Sequence, residues 1–400
     1  MIRRKRTSPG VYLAAGLILA WTASANGQRF LQSTEPPPTV EQDGHVAPPQ
    51  GDATLTPPQQ PGAGAAVEDP LDGDGADGRL IALLGRPKPP RSNPADSPTA
   101  KPPTITDSLS KALALQIALD RAGFSPGVID GNLGRKTQTA LAAFQTSASL
   151  PVTGRPDEPT LQALGVDPRA VLRAYTLTSH DLSQVGPWPK TWIEKSNAKH
   201  LGYQSAAALV ADKGHCSQAL LGRLNHRLRI GALKPGDTLW IPNVDAPRPL
   251  PKAAALHVDL DRKLVQAVDQ SGRVVAMFHC SIAKSKEKLP KRSCKVADVA
   301  LNPVYLFDPK MWPEVKDVRR KLVIPPGPRN PVGLCWIGLS LQGYGIHGTP
   351  EPELIGKTGS HGCIRLANWD VVRLAKVIRV GMDVRFTAAQ TVAGRPAPRR

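Results

Sequence analysis

Apolar positions change their spacing several times along this chain, and each change marks a module. From about Gln32 to Asp107 the text is Pro, Gly, Ala, Asp and Thr with scarcely an aromatic. Such a segment cannot bury enough apolar surface to offset its chain entropy, which predicts a disordered, partly extended tether over 26–107. The apolar patch Leu80 to Leu84 within it reads as a tolerated accident. From Leu109 onward Leu113, Leu115, Ile117 and Leu119 predict a helix ending at Gly123, and Gly127 to Gly131 makes a turn. A second helix is expected from Lys136 to Gln145, where Ala140 and Leu141 share a face with Phe144, and a third from Thr160 to Leu164. Residues 108–166 therefore read as a compact three-helix unit.

Beyond Pro251 the period becomes two. Leu256, Val258 and Leu260 alternate with His257 and Asp259, and a second strand from Arg273 to Ile282 follows the turn Asp269-Gln270-Ser271-Gly272, giving a β-hairpin. Further strands are predicted at Ala300 to Tyr305, Gly333 to Leu339 and Val384 to Phe386, with one helix from Trp369 to Ile378. The expected fold is multidomain, with a mainly β domain over 252–388 preceded by the small helical unit. Residues 170–246 form a connector, and 389–400 a basic tail.

Composition narrows the setting. The formal charge of +18 favours polyanionic partners or simply keeps the surface solvated. Neither zinc-finger spacing nor an aromatic signature of RNA binding accompanies it, so no nucleic-acid partner is expected. At the start, Arg3, Arg4, Lys5 and Arg6 precede an apolar run from Val11 to Trp21, and Ala23-Ser24-Ala25 follows. Residues 1–25 thus read as a secretory signal, and the chain is expected in the periplasm or cell wall, touching a membrane only through that segment if it is left uncleaved. The run is short for a membrane span. Five cysteines in an exported chain leave at least one over from pairing. Cys216, Cys280, Cys294 and Cys335 could form two disulfides in three ways, or be buried small apolar residues.

The remaining cysteine sits in the densest cluster of reactive residues. Gly345-Ile346-His347-Gly348-Thr349 is followed by Gly359-Ser360-His361-Gly362-Cys363-Ile364-Arg365-Leu366. A cysteine among small residues on a tight turn can expose its sulfur, and an imidazole within hydrogen-bond reach can take its proton. Zinc ligation by His347, His361 and Cys363 is the first rival, but no fourth ligand is evident and the spacing fits no common zinc finger. A buried structural cysteine is the second. No metal or other cofactor is expected.

Three resemblances sharpen this picture. Residues 113 to 165, LALQIALDRAGFSPGVIDGNLGRKTQTALAAFQTSASLPVTGRPDEPTLQALG, resemble the type 1 peptidoglycan-binding domain along nearly the whole module, which implies a wall-polymer partner. In the connector, Leu221 to Asn225 followed by Leu233 to Asn243 resembles the second half of a LysM carbohydrate-binding repeat, with an insertion at Pro187 to Cys216 in the degenerate first half. A structural spacer is the competing reading there. The H-G-T and S-H-G-C-I-R-L elements resemble the active-site signature of the L,D-transpeptidase (YkuD-like) catalytic domain, covering roughly 252 to 388.

That last resemblance implies acyl transfer through a thioester on peptidoglycan stem tetrapeptides, with Cys363 attacking the carbonyl before the terminal D-Ala. His347 is then the general base, while His361 shapes the pocket or shares the proton transfer. The backbone N–H groups of Gly362 and Cys363 are the candidate oxyanion donors, supported by Ser360 and Gly348. Arg365 and Thr349 are the candidate substrate contacts, Arg365 by pairing with a substrate carboxylate or, alternatively, with an acid of its own domain. The expected activity forms 3→3 cross-links or attaches an amine to the stem. An L,D-carboxypeptidase or endopeptidase using water, and a non-catalytic wall binder, are the alternatives.

Overall fold

The computed structural model describes residues 101–387 apart from 291, 313, 360 and 361. The segment read as a secretory signal, most of the expected tether, the basic tail, Ser360 and His361 therefore lie outside the described residues.

The helical unit consists of α1 (Asp107–Ala122), α2 (Arg135–Ser147) and α3 (Glu158–Leu164). Thr106 caps α1 by accepting from the Leu109 amide, and Gly123 ends it in the left-handed region, at φ 88°. Gly127 and Gly131 both take positive φ, as the predicted turn requires.

The connector contains β1 (Leu172–Thr176), α4 (Ser179–Ser183), α5 (Trp192–Asn197), α6 (Ala206–Lys213), α7 (Gln218–Leu224) and β2 (Thr238–Pro242). β1 and β2 pair antiparallel, Leu172 opposite Pro242, and Asn225 at the end of α7 clamps β2 by accepting from the Trp240 amide and donating to its carbonyl. This is more than a spacer. Leu209, Val210, Leu221, Leu239 and Ile241 share a buried core with Leu113, Ile117 and Ile129 of the helical unit.

The β domain is one eight-stranded sheet, ordered β11-β10-β9-β6-β12-β3-β4-β5. In chain order these are β3 (Ala255–Asp259), β4 (Leu264–Val268), β5 (Val274–His279), β6 (Cys294–Leu301), β9 (Cys335–Leu339), β10 (Gly345–His347), β11 (Ile364–Arg365) and β12 (Asp383–Thr387), with a separate hairpin of β7 (Tyr305–Phe307) and β8 (Leu322–Ile324). Ser281, just past β5, exchanges two backbone hydrogen bonds of 2.9 Å with Arg365 of β11, so the sheet curls back on itself. α8 (Asn368–Ala375) packs against its inner aliphatic layer.

Two strand expectations need correction. The Asp269–Gly272 turn joins β4 to β5, and Leu256 to Leu260 is the strand before, pairing with β4. Leu264-Val265-Gln266-Ala267-Val268 lacks alternation because both its faces are covered, four of its five residues being buried. The strand expected at Ala300 to Tyr305 is the junction of β6 and β7, broken at Asn302 with φ 46° and Pro303. The helix expected to Ile378 ends at Ala375.

The helical unit is docked on the sheet. Ser125 N–H donates to the Met277 carbonyl and Met277 N–H to that of Gly123, while Phe124 and Phe144 share a core with Leu264 and Met277. Ser125 Oγ also donates to Asp370 at the start of α8, at 2.9 Å.

All five cysteines are buried thiols and no disulfide is present. Cys335 lies opposite Leu301 at one end of the β6–β9 ladder and Cys294 begins β6 at the other, roughly 20 Å away at the rise of a strand, too far to bridge. The option of two disulfides is not realised; the alternative, small buried residues, is.

Candidate active site

The register of three short strands decides which side chains meet. β10 runs parallel to β11 with Ile346 beside Ile364 and His347 beside Arg365, and antiparallel to β9 with Ile337 beside Ile346 and Trp336 beside His347. Since side chains alternate, Ile337, Ile346 and Ile364 project to one face and Trp336, His347 and Arg365 to the other. One position before β11, Cys363 continues that second face, diagonal to His347, with about 8 Å between Cα atoms at ordinary strand spacing. The two faces belong to different cores: the isoleucines join the layer under α8, while Trp336 and Cys363 join Tyr305, Phe307, Trp312 and Trp192.

His347 is fully buried. Its Nδ1 donates to the Gly348 carbonyl at 2.7 Å, fixing the tautomer, and its Nε2 has no hydrogen-bond partner among the described residues. Burial, aided by the charge of Arg365 and opposed by the Gly348 bond, pushes its pKa down to about 3. The imidazole is therefore neutral at pH 7 and can accept a proton. Trp336 stacks on it with ring centroids 6.0 Å apart. Gly345 permits that arrangement, because a Cβ there would fall 2.2 Å from the Trp336 ring.

Cys363 is 1% exposed, its Sγ 3.9 Å from the Gly343 carbonyl in the β9–β10 turn. At Gly362 a Cβ would meet nothing within 4 Å, so the turn before the thiol is open on that side. Gly348 is a support: its N–H donates to the Val332 and Cys335 carbonyls and its lack of a side chain admits Asn368, whose Oδ1 would lie 2.2 Å from a Cβ. Thr349 is buried and accepts from the Glu351 amide at 3.3 Å.

Among the described residues Arg365 forms no ion pair. Its Nη2 donates to the Gly359 carbonyl at 2.5 Å and lies 3.4 Å from that of Thr358, tying down the segment that leads to Cys363. Burial lowers its pKa, against the pull of Glu351 and Cys363. Arg365 and Thr349 face a cleft of about 480 Å³ between the connector and the sheet. Ser360 and His361, expected beside the nucleophile, lie outside the described residues, and His361 is one of the three ligands that a zinc site would need.

Several contributors had little signal in the sequence. Trp336 sits in an unbroken apolar run with nothing to separate it from core. Asn368 carries an N-cap signal at a helix start, yet its amide serves the approach to β9, accepting from the Leu334 amide and donating to the Pro328 carbonyl. Trp192, in the insertion read as part of a spacer, stacks on Phe307 with centroids 4.1 Å apart and so braces the pocket around Cys363 from another module.

Comparison with known proteins bears on the modules. The peptidoglycan binding domain family matches residues 110–164 and the L,D-transpeptidase catalytic domain family (YkuD) matches residues 253–386. A Bacillus licheniformis protein named as the L,D-transpeptidase YkuD is 30% identical over 184 residues, which is 46% of this chain and 94% of that protein. Its Bacillus subtilis namesake is 51% identical over 57 residues, 14% of this chain and 35% of its own. A crystal structure of the L,D-transpeptidase from Xylanimonas cellulosilytica covers 72% of this chain and 99% of its own at 18% identity, with a TM-score of 0.30, a likeness too slight to build on. With a relative matched along nearly its whole length and a catalytic-domain match that contains the parallel pair holding His347 and Cys363, the chain belongs to the L,D-transpeptidase family.

Proposed function

We propose that this enzyme cleaves the bond before the terminal D-Ala of a peptidoglycan stem tetrapeptide, holds the stem as a thioester on Cys363, and passes it to an amine. The observation that carries the reading is the placement of Cys363 and a neutral, Nδ1-anchored His347 on one face of the β10–β11 pair. As Cys363 Sγ attacks the carbonyl carbon, its proton passes to His347 Nε2. The tetrahedral oxyanion is met by the Gly362 and Cys363 N–H groups, and His347 returns the proton to the departing D-Ala nitrogen. The acceptor amine then attacks the thioester and gives its proton to His347, and the thiolate leaves and is reprotonated. His361 and Ser360 keep their expected supporting roles in this scheme. The helical unit, matched by the peptidoglycan binding domain family, keeps the enzyme on its polymer, and the basic apolar start of the chain fits export to the periplasm or wall.

Incubation of the full chain with a tetrapeptide stem is expected to release D-Ala and add the acyl mass to Cys363, as read by mass spectrometry. An adduct on another cysteine, or D-Ala release by the Cys363→Ala protein, sinks the mechanism. An acyl-enzyme that resolves only to free tripeptide with excess amine present makes the enzyme a carboxypeptidase.

A further inference from the structure

The cleft that reaches Arg365 and Thr349 has a second wall no catalytic residue belongs to. That wall comes from the connector, including Trp188, Lys190, Lys195, Tyr203 and Gln218, and it faces Arg329, Glu351, Glu353 and Trp369 of the β domain. One end is cationic. Arg329 crosses the boundary, donating from Nε to the Gly202 carbonyl and from Nη2 to that of Pro187, with its guanidinium 5.0 Å over the Trp188 ring. Lys195 Nζ lies 4.6 Å over Trp192.

These cations are not held in ion pairs among the described residues: none involves Lys190, Lys195 or Arg329. Glu194, the acid next to Lys195 on α5, is occupied by the amides of Lys190 and Thr191 in a capping box. Burial, and then the neighbouring Arg329, lower the pKa of Lys195, and no carboxylate offsets either effect. Two half-buried cations facing each other cost free energy that a bound anion would recover. Elsewhere in the cleft Glu353 accepts from the Gln218 amide, and Glu351 stands near Arg365. An anion is thus favoured beside Lys195 and Arg329 and disfavoured beside Glu353.

We propose that this cleft binds a carboxylate-bearing peptide, its carboxylate between Lys195 and Arg329 and its chain running past Arg365 and Thr349 toward Cys363. The proposal rests on the stem-peptide reading above and adds the groove that holds the stem. The cleft and the nucleophile are linked through α5, which carries Lys195 in the cleft wall and Trp192 in the core around Cys363.

The test uses the full chain and its Lys195→Glu and Lys195→Arg variants, following D-Ala release from a tetrapeptide stem and then transfer to an amine-bearing stem acceptor. Lys195→Glu is expected to raise KM for the donor or for the acceptor by tenfold or more with kcat held, and Lys195→Arg to restore it. Whichever KM rises identifies the peptide in the cleft. Amidating that peptide's carboxylates is expected to erase the difference between the wild type and Lys195→Glu. Should Lys195→Glu lower the melting temperature, exposed Lys190→Glu is the second variant, expected to shift the same KM in the same direction. Unchanged KM for both peptides in both variants overturns the proposal. Absence of D-Ala release by the wild type refutes the stem-peptide function instead. The cleft is then read from tetrapeptide binding to Cys363→Ala with and without Lys195→Glu, where weaker binding by the double variant upholds it and equal binding overturns it.

Discussion

The two faces of β9, β10 and β11 share one backbone and one set of hydrogen bonds, yet they answer to different physics. On one face Ile337, Ile346 and Ile364 are closed into an aliphatic layer with Val371 and Leu374, where every group gains by leaving water. On the other, Trp336 and Cys363 lie in an aromatic cluster with His347 stacked on Trp336, and His347, Cys363 and Arg365 are buried although burial disfavours their charged forms. His347 is held neutral and Arg365 has its pKa lowered. The first face supplies stability, and its stiffness lets the second keep a reactive pair at a fixed diagonal. In the proposed mechanism reactivity is a property of one face of a sheet.

That contrast can be broken most sharply on the reactive face. Cys363→Ala is expected to abolish D-Ala release while leaving the melting temperature close to wild type, since it removes one sulfur. His347→Ala should slow acylation by roughly a hundred- to ten-thousand-fold, the ordinary range for a lost general base, in single-turnover measurements. On the aliphatic face, Ile346→Ala should cost about 2–5 kcal/mol of unfolding free energy in denaturant titrations, the range for a large aliphatic deleted from a core. Its kcat per folded molecule should stay within a few-fold of wild type. A hundredfold loss of kcat there would show that the faces are not separable.

A smaller effect comes from the docking of the helical unit. Asp370 is buried and its pKa is pushed up to about 7, by burial first and then by Asp120, against Ser125, His215 and Arg373. His215, lodged against Asp120 at 3.1 Å, faces burial that favours its neutral form, but the acids around it hold its pKa above the ordinary value. A carboxyl whose pKa is raised by folding stabilises the fold fully below its unfolded value of about 4 and loses that contribution as pH rises through 7. His347 works in the opposite sense: with its pKa at about 3, its contribution is complete above 6.5 and is lost as pH falls toward 3. Melting temperatures of Asp370→Asn relative to wild type should therefore improve progressively between pH 4 and 7. A constant difference across that range would remove Asp370 from the account.

Much of the architecture was legible because local rules operate undisturbed in it. α1 ends at Gly123 since a left-handed residue is needed there, and the alternation at Leu256 to Leu260 marks a strand whose neighbours cover it unequally. β4 escaped because a strand buried on both faces has no alternation to show. The roles of Gly348 and Arg365 were legible only in part. Gly348 anchors His347 through its carbonyl and admits Asn368, which follows from a close approach of two distant segments. Arg365 reads as a carboxylate binder by residue type, but the chain brought the Thr358 and Gly359 carbonyls to it first.

By itself the sequence determined which residues could do chemistry, because nucleophile and base must be of particular types and small residues must surround them. It also determined the helices of the helical unit, whose caps and apolar faces are written within one short stretch. The tertiary structure alone decided that Trp192 of the connector braces the face that carries Cys363, that the three modules share cores, and that Lys195 and Arg329 line one cleft. Those contacts join residues far apart in the chain, and no local spacing records them. Their energies depend on what is excluded from water when the modules close.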